Sequence, residues 1–194
     1  MVRKTRDKFI EVARQLFARK GVENTTMNDI ASASDKGRRT IYTYFKSKRE
    51  IFNAVIESET DDLLDRLEEI VHKSISPQDK LYEYVECRFE TMREIVKRNG
   101  TLRAGFFRDV RKVERARKLL SQRETELLGA ILSEGQQKGI FDVDDIRRLS
   151  TVIVSALSGL DVPYISDSLA DKGVDKTLLK DYISELIIYG IRKR

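Results

Sequence analysis

Apolar residues recur along most of this 194-residue chain at the three- and four-residue spacing of helices that face a core. Phe9, Val12, Ala13, Leu16 and Phe17 form the first such stripe and predict a helix over residues 3–20. Gly21 follows where a left-handed C-cap is wanted, with Arg19 and Lys20 beside the negative helix end. Thr25 or Thr26 then caps a short second helix that has Asp29 in its first turn and Ile30, Ala31 and Ala33 facing inward. Ser34-Asp35-Lys36-Gly37 breaks the pattern, and a third helix runs from Arg38 to Phe45. Three short helices with a tight turn between the last two make a helix-turn-helix arrangement.

Longer stripes follow. Ser47 reads as an N-cap with Glu50 completing a capping box. The helix behind it is marked by Ile51, Phe52, Val55, Ile56, Leu63, Leu64, Leu67, Ile70 and Val71. Ser76-Pro77 with Asp79 opens the next helix, whose stripe of Leu81, Val85, Phe89, Met92 and Val96 ends at Asn99-Gly100. A short helix over 102–110 precedes a long one through Leu119, Leu120, Leu127, Leu128, Ile131 and Leu132, ended by Gly139. Asp142 or Asp144 starts another, with Ile146, Leu149, Ile153, Leu157 and Leu160 on one face. After a polar stretch, the last helix carries Leu178, Leu179, Tyr182, Ile183, Leu186 and Ile187. No alternating strand pattern competes over a useful length. The expectation is an all-α protein of about nine helices: an N-terminal helix-turn-helix domain over 1–47 and a larger helical domain over 48–194.

Composition agrees with this. The chain is 40% hydrophobic and 36% charged, with two prolines and ten glycines, which argues against a turn-rich β-sandwich or barrel. No run of about 18 apolar residues is apparent and no apolar segment follows the basic N-terminus, so neither a membrane partner nor a secretory signal is expected. Cys87 is the single cysteine, reads as a small buried hydrophobe, and fits a reducing, cytoplasmic setting. One histidine, His72, and one cysteine cannot supply a zinc set, and no Gly-rich phosphate loop occurs. No cofactor or metal is expected, and an enzyme ranks last among the function classes.

Charge changes the picture more. Residues 1–50 hold 13 Lys/Arg and 6 Asp/Glu, a net of +7, while the whole chain is +5, so the remainder is −2. That asymmetry fits a polyanion partner for the N-terminal quarter or, equally on charge alone, a solvated basic face. The stretch DKGRRTIYTYFKSK, residues 35–48, concentrates the chemistry. Arg38 and Arg39 lie near the start of the third helix, where side chains reach base edges, and arginine can donate two hydrogen bonds to guanine. Thr40 can meet a phosphate or a thymine methyl, and the Tyr42 and Tyr44 hydroxyls can bond phosphates. Lys36 in the turn and Lys46 and Lys48 behind the helix bracket the strand, with Thr26 and Lys48 each at a helix N-terminus. Ile41 and Phe45, one turn apart, anchor this helix to Phe9, Leu16, Phe17 and Ile30.

Thr25-Thr26, Asp29-Ile30-Ala31 and Thr40-Ile41-Tyr42-Thr43-Tyr44-Phe45-Lys46-Ser47-Lys48 resemble the N-terminal domain of TetR-family transcriptional regulators over residues 9–52. The family pattern has Ala-Gly-Val-Ser in the turn. Here Ser34, Asp35, Lys36 and Gly37 replace it, and Arg39 replaces a second glycine, which points to an unusual operator preference. Asp35 tolerates the left-handed backbone that glycine would supply.

The resemblance implies a repressor that binds double-stranded DNA at a palindromic operator as a homodimer and is released by a small-molecule effector. It implies nucleoid association, with Thr26, Lys36, Arg38, Arg39, Thr40, Tyr42, Tyr44 and Lys48 on DNA. It further implies pairing of the last two helices between protomers. Leu149, Ile153, Ala156, Leu157, Leu160, Leu179, Tyr182, Ile183, Leu186 and Ile187 are the candidates for that interface. An effector pocket would draw on Tyr82, Phe89, Met92, Phe106 and Phe107, and Arg88, Arg93 or Arg103 could meet an acidic effector. Two alternatives stand beside this: an architectural, chromosome-organising protein using the same module, and a helical small-molecule-binding or interaction protein without a DNA function.

Overall fold

The computed structural model describes the backbone of residues 2–99 and 110–193 and the side chains of residues 4–98 and 117–193. The described helices are α1 (Val2–Lys20), α2 (Met27–Ala33), α3 (Arg38–Tyr44), α4 (Lys48–Val71), α5 (Pro77–Asn99), α6 (Val110–Gln137), α7 (Ile146–Ser166) and α8 (Lys176–Ile191), with a 3-10 turn at Ala170–Lys172. The all-α expectation holds. Eight α-helices stand where about nine were expected, and the short helix over 102–110 falls outside the described residues. Extended pairing among the described residues is limited to one isolated bridge, Phe141 to Arg192.

Local chemistry explains the helix starts. Thr26, not Thr25, caps α2: its hydroxyl accepts from the Asp29 amide at 3.1 Å, and Asp29 accepts from the Thr26 amide at 2.8 Å. Thr25 is buried and donates to the Gly21 carbonyl at 2.8 Å, fastening the loop before α2. Ala33 is exposed, because Ser34 takes the inward position one turn after Ile30 and donates to its carbonyl at 2.7 Å. At α4 the Ser47 hydroxyl accepts from the Glu50 amide at 3.3 Å as expected, while the Glu50 carboxylate accepts from the Lys46 amide at 2.6 Å, one residue before the cap. Asp145 caps α7 in place of Asp142 or Asp144. The Asp142 amide donates to the Ile191 carbonyl, 2.7 Å away, in the tie that closes the C-terminus.

The described residues of 1–61 and 94–117 form one compact unit, and those of 62–93 and 118–194 form another. The first is filled by Phe9, Ala13, Phe17, Ile30, Ile41, Phe45, Ile51, Phe52 and Val55. Phe17 and Phe52 meet at 6.2 Å between ring centres. Its one deeply buried carboxylate among the described residues, Glu59, is ion-paired with Arg98 and lies 3.8 Å from Arg14.

The second unit is filled by Leu63, Leu67, Tyr84, Phe89, Leu128, Ile131, Leu132, Val154, Leu157 and Tyr164. Within it Arg88 is buried between two carboxylates. Its Nε donates to Glu124 and its Nη1 to Asp161, both at 2.6 Å, and Ser158 accepts at 3.1 Å. Burial alone would lower the Arg88 pKa, but Glu124 and Asp161 hold it above its usual value, while burial pushes the Glu124 carboxyl up. Gly135 is required by packing, since a Cβ there would lie 1.9 Å from the Phe141 ring. By length and composition α7 could cross a membrane. Here it buries Val154, Leu157 and Tyr164 and carries Asp161 to Arg88.

Candidate nucleic-acid interface

The turn between α2 and α3 is built on Asp35, which adopts φ 54°, the left-handed conformation that its short polar side chain tolerates. The Lys8 ammonium on α1 lies 3.2 Å from its carboxylate. Gly37 is the N-cap of α3, without a side-chain cap. Ile41 and Phe45 are buried, so α3 is bolted down by one face. The other face leaves Arg38, Arg39 and Tyr42 exposed, with the Arg38 guanidinium 5.8 Å from the centre of the Tyr42 ring. Neither arginine makes an ion pair among the described residues. Lys36 and Thr26 are also exposed, Thr40 is half-buried, and Tyr44 is half-buried against Phe9 at 5.7 Å.

Lys48 is placed differently from a simple phosphate ligand. Its ammonium donates to the carbonyls of Val22 at 2.6 Å and Glu23 at 3.2 Å. It therefore ties the start of α4 to the loop between α1 and α2. Sequence reasoning also passed over Arg6, whose guanidinium lies 5.3 Å from the centre of the Phe45 ring. The signal available was only its place in the basic run before Phe9.

The acidic side of this module is fixed as well. Asp29 is held down to a pKa of about 2, first by the hydrogen bond from Lys20 and then by those of Thr26. A depressed carboxyl contributes stability that is present above its ordinary value and lost as pH falls through the folded one. Asp29→Asn should therefore flatten the stability profile of the module between about pH 4 and pH 2. Acid titration followed by the helical circular dichroism signal checks this; an unchanged profile would deny the cap its electrostatic part.

The other predicted residues are distributed as follows. Ile153 and Leu157 are buried in their own chain; Leu149, Leu160, Leu179, Ile183 and Ile187 are half-buried; Ala156, Tyr182 and Leu186 are exposed. Leu178, on the apolar stripe of the last helix, is exposed, and so are Val152, Val162 and Tyr189, which were not picked out from sequence. Val152 and Ala156 are offset by about 100° around α7 from Ile153 and Leu157, because each residue advances that far around a helix. Phe89 and Met92 are buried, with Phe89 stacked on Tyr164 at 4.8 Å, while Tyr82 is exposed. Phe106, Phe107 and Arg103 lie outside the described residues. Arg88 is buried but already paired, and the exposed Arg93 pairs with Glu90 at 2.6 Å. An open groove of about 570 Å³ beside α6 and α7 is lined by polar groups including Gln122, Thr125, Glu126 and Arg147.

An anchored α3 with exposed arginines, set behind a capped α2 and a tight turn, defines a helix-turn-helix DNA-binding protein of the all-α class. Comparison with known proteins then specifies the family. The model described as "Bacterial regulatory proteins, tetR family" matches residues 9–55, and that of the "QacR-like protein, C-terminal region" matches 59–184. The HTH-type transcriptional regulator QacR of Staphylococcus aureus is 23% identical over 191 residues, covering 97% of this chain and 98% of its own. A crystal structure of a transcriptional regulator from Cytophaga hutchinsonii superposes with a TM-score of 0.78 at 25% identity, covering 96% of this chain and 98% of that one. A regulator from Saccharomonospora viridis in complex with choline superposes at 0.72 with 20% identity, covering 99% and 100%. The chain belongs to the tetR family of bacterial regulatory proteins, and is a DNA-binding transcriptional regulator.

Proposed function

We propose that this regulator is a ligand-responsive repressor that binds a palindromic operator as a homodimer in the cytoplasm. Residues 1–47 read DNA, and residues 48–194 hold the effector and the dimer contact. The observation that carries the reading is α3 itself, anchored by Ile41 and Phe45 with Arg38, Arg39 and Tyr42 left facing outward. Exposed apolar side chains on α7 and α8 support the dimer, which supplies the two-fold symmetry that a palindrome needs. A choline complex in a protein of this fold supports a small-molecule effector; the buried Phe89 and Met92 are candidates to line its site.

Arg38→Ala or Arg39→Ala is expected to cost about 1–3 kcal/mol on the best site and to relax preference at one base position per half-site. Competition binding against random duplex reads both quantities, and equal losses on the two DNAs would remove the base-reading role. Genomic pull-down should enrich short palindromes near promoters. Sites dispersed outside promoters would instead favour an architectural protein. Native mass spectrometry of the purified protein should reveal a retained small molecule.

A further inference from the structure

We propose that the first two turns of α1 form an additional contact with the DNA backbone, with Arg6 and Lys4 as phosphate ligands outside the helix-turn-helix. The inference rests on the DNA-binding reading of α3 and adds residues to it. Arg6 precedes Phe45 by most of the module, yet its guanidinium carbon lies 5.3 Å from the centre of the Phe45 ring, and Phe45 is the C-cap of α3. Two residues on, the Lys8 ammonium is 3.2 Å from Asp35, in the turn that leads into α3. The N-terminal half of α1 therefore reaches both the exit and the entrance of the reading helix.

Stacking on a ring uses one face of a guanidinium, whereas its N–H donors lie in the plane and remain open to a phosphate. Arg6 is exposed and makes no ion pair among the described residues. Lys4, exposed and one turn before Lys8 on the same face, makes none either. Asp7, the acidic residue of this stretch, pairs with neither. Lys8 differs because Asp35 answers its charge, and farther along α1 Arg14 and Lys20 are answered by Glu11 and Asp29. Among the described side chains at this end of α1, Arg6 and Lys4 are thus cations whose charge a polyanion can use.

The test is the salt dependence of binding to a random-sequence duplex, since a phosphate contact carries no sequence information. Arg6→Gln and Lys4→Gln should each flatten the slope of log affinity against log salt by about 0.9 per bound protomer. The deficit of each variant should shrink about three- to fourfold between 50 and 200 mM salt. Arg6→Lys should keep the wild-type slope. Lys172→Gln removes the same charge from the exposed 3-10 turn and should also keep it. If Arg6→Gln proves unfolded by circular dichroism, Lys4→Gln decides, because it breaks no contact within the protein. Wild-type slopes for Lys4→Gln and for folded Arg6→Gln would overturn the proposal while leaving α3 as the reader. A wild-type protein with no affinity for any duplex at low salt would overturn both.

Discussion

Arg88→Met is expected to remove about 3–5 kcal/mol of stability, whereas Glu124→Gln should cost under about 1 kcal/mol or stabilise. The two residues touch at 2.6 Å, so the asymmetry comes from the charge balance. The cluster holds one positive group, Arg88, against two carboxylates, Glu124 and Asp161, all of them buried. Removing the arginine leaves two like charges in a medium that cannot solvate them. Replacing Glu124 by glutamine keeps an oxygen to accept from Arg88 Nε and leaves Arg88 matched by Asp161 alone. Urea unfolding of the three proteins at neutral pH measures the difference, and equal losses for the two variants would refute the balance argument.

The same cluster predicts a pH trend with a definite sign. Burial raises the Glu124 carboxyl, so the folded state binds that proton more tightly than the unfolded chain does. The stability this contributes is present below the ordinary carboxylate pKa and is lost as pH rises through the folded value. Glu124→Gln should accordingly gain on the wild type as pH rises from about 4 toward neutrality, and the gap should close in acid.

If the proposed homodimer forms through this face, Leu186→Glu is expected to weaken it by two or more orders of magnitude, about 3 kcal/mol or more, without destabilising the protomer. Leu186 is 74% exposed and its neighbour Tyr189, one turn nearer the C-terminus, is 72% exposed, so neither holds the chain's own core together. Leu178 and Tyr182 continue the exposed row on α8, and Val152 and Val162 are exposed on α7. In a two-fold interface each side chain faces the equivalent patch, so one glutamate per chain introduces two like charges into an apolar contact. Sedimentation should shift to the monomer at concentrations where the wild type is dimeric, and operator affinity should fall with it. An unchanged sedimentation profile would remove this face from the proposed dimer contact.

The fold and the anchored face of α3 were legible in sequence because their signals are local. A threonine three residues before an aspartate makes the α2 cap within one turn, and the spacing of Ile41 and Phe45 declares which side of α3 is held. Asp35 was legible for the same reason: a short polar side chain can stand in for glycine at a left-handed turn. Signals that depend on closure of the chain were not. Lys48 looks like a spare cation until the loop at Val22 and Glu23 comes back to meet it. Arg88 finds its partners 36 and 73 residues away, and nothing in its own helix distinguishes it from the exposed Arg93. On α7 the apolar row is broad, and only packing decides that Ile153 and Leu157 face inward while Val152 and Ala156 remain outside.

The Lys48 tie bears on how such regulators can be recombined. A chimera that grafts these reading residues onto another effector domain at Ser47 would exchange the ammonium that holds the loop before α2. It would also exchange Ile51 and Phe52, which close the core over Phe17. A junction placed after Val55 carries the lysine, both apolar side chains and their loop across together. If α3 reads DNA as proposed, portability of that specificity is set by the first two turns of α4 as much as by α3.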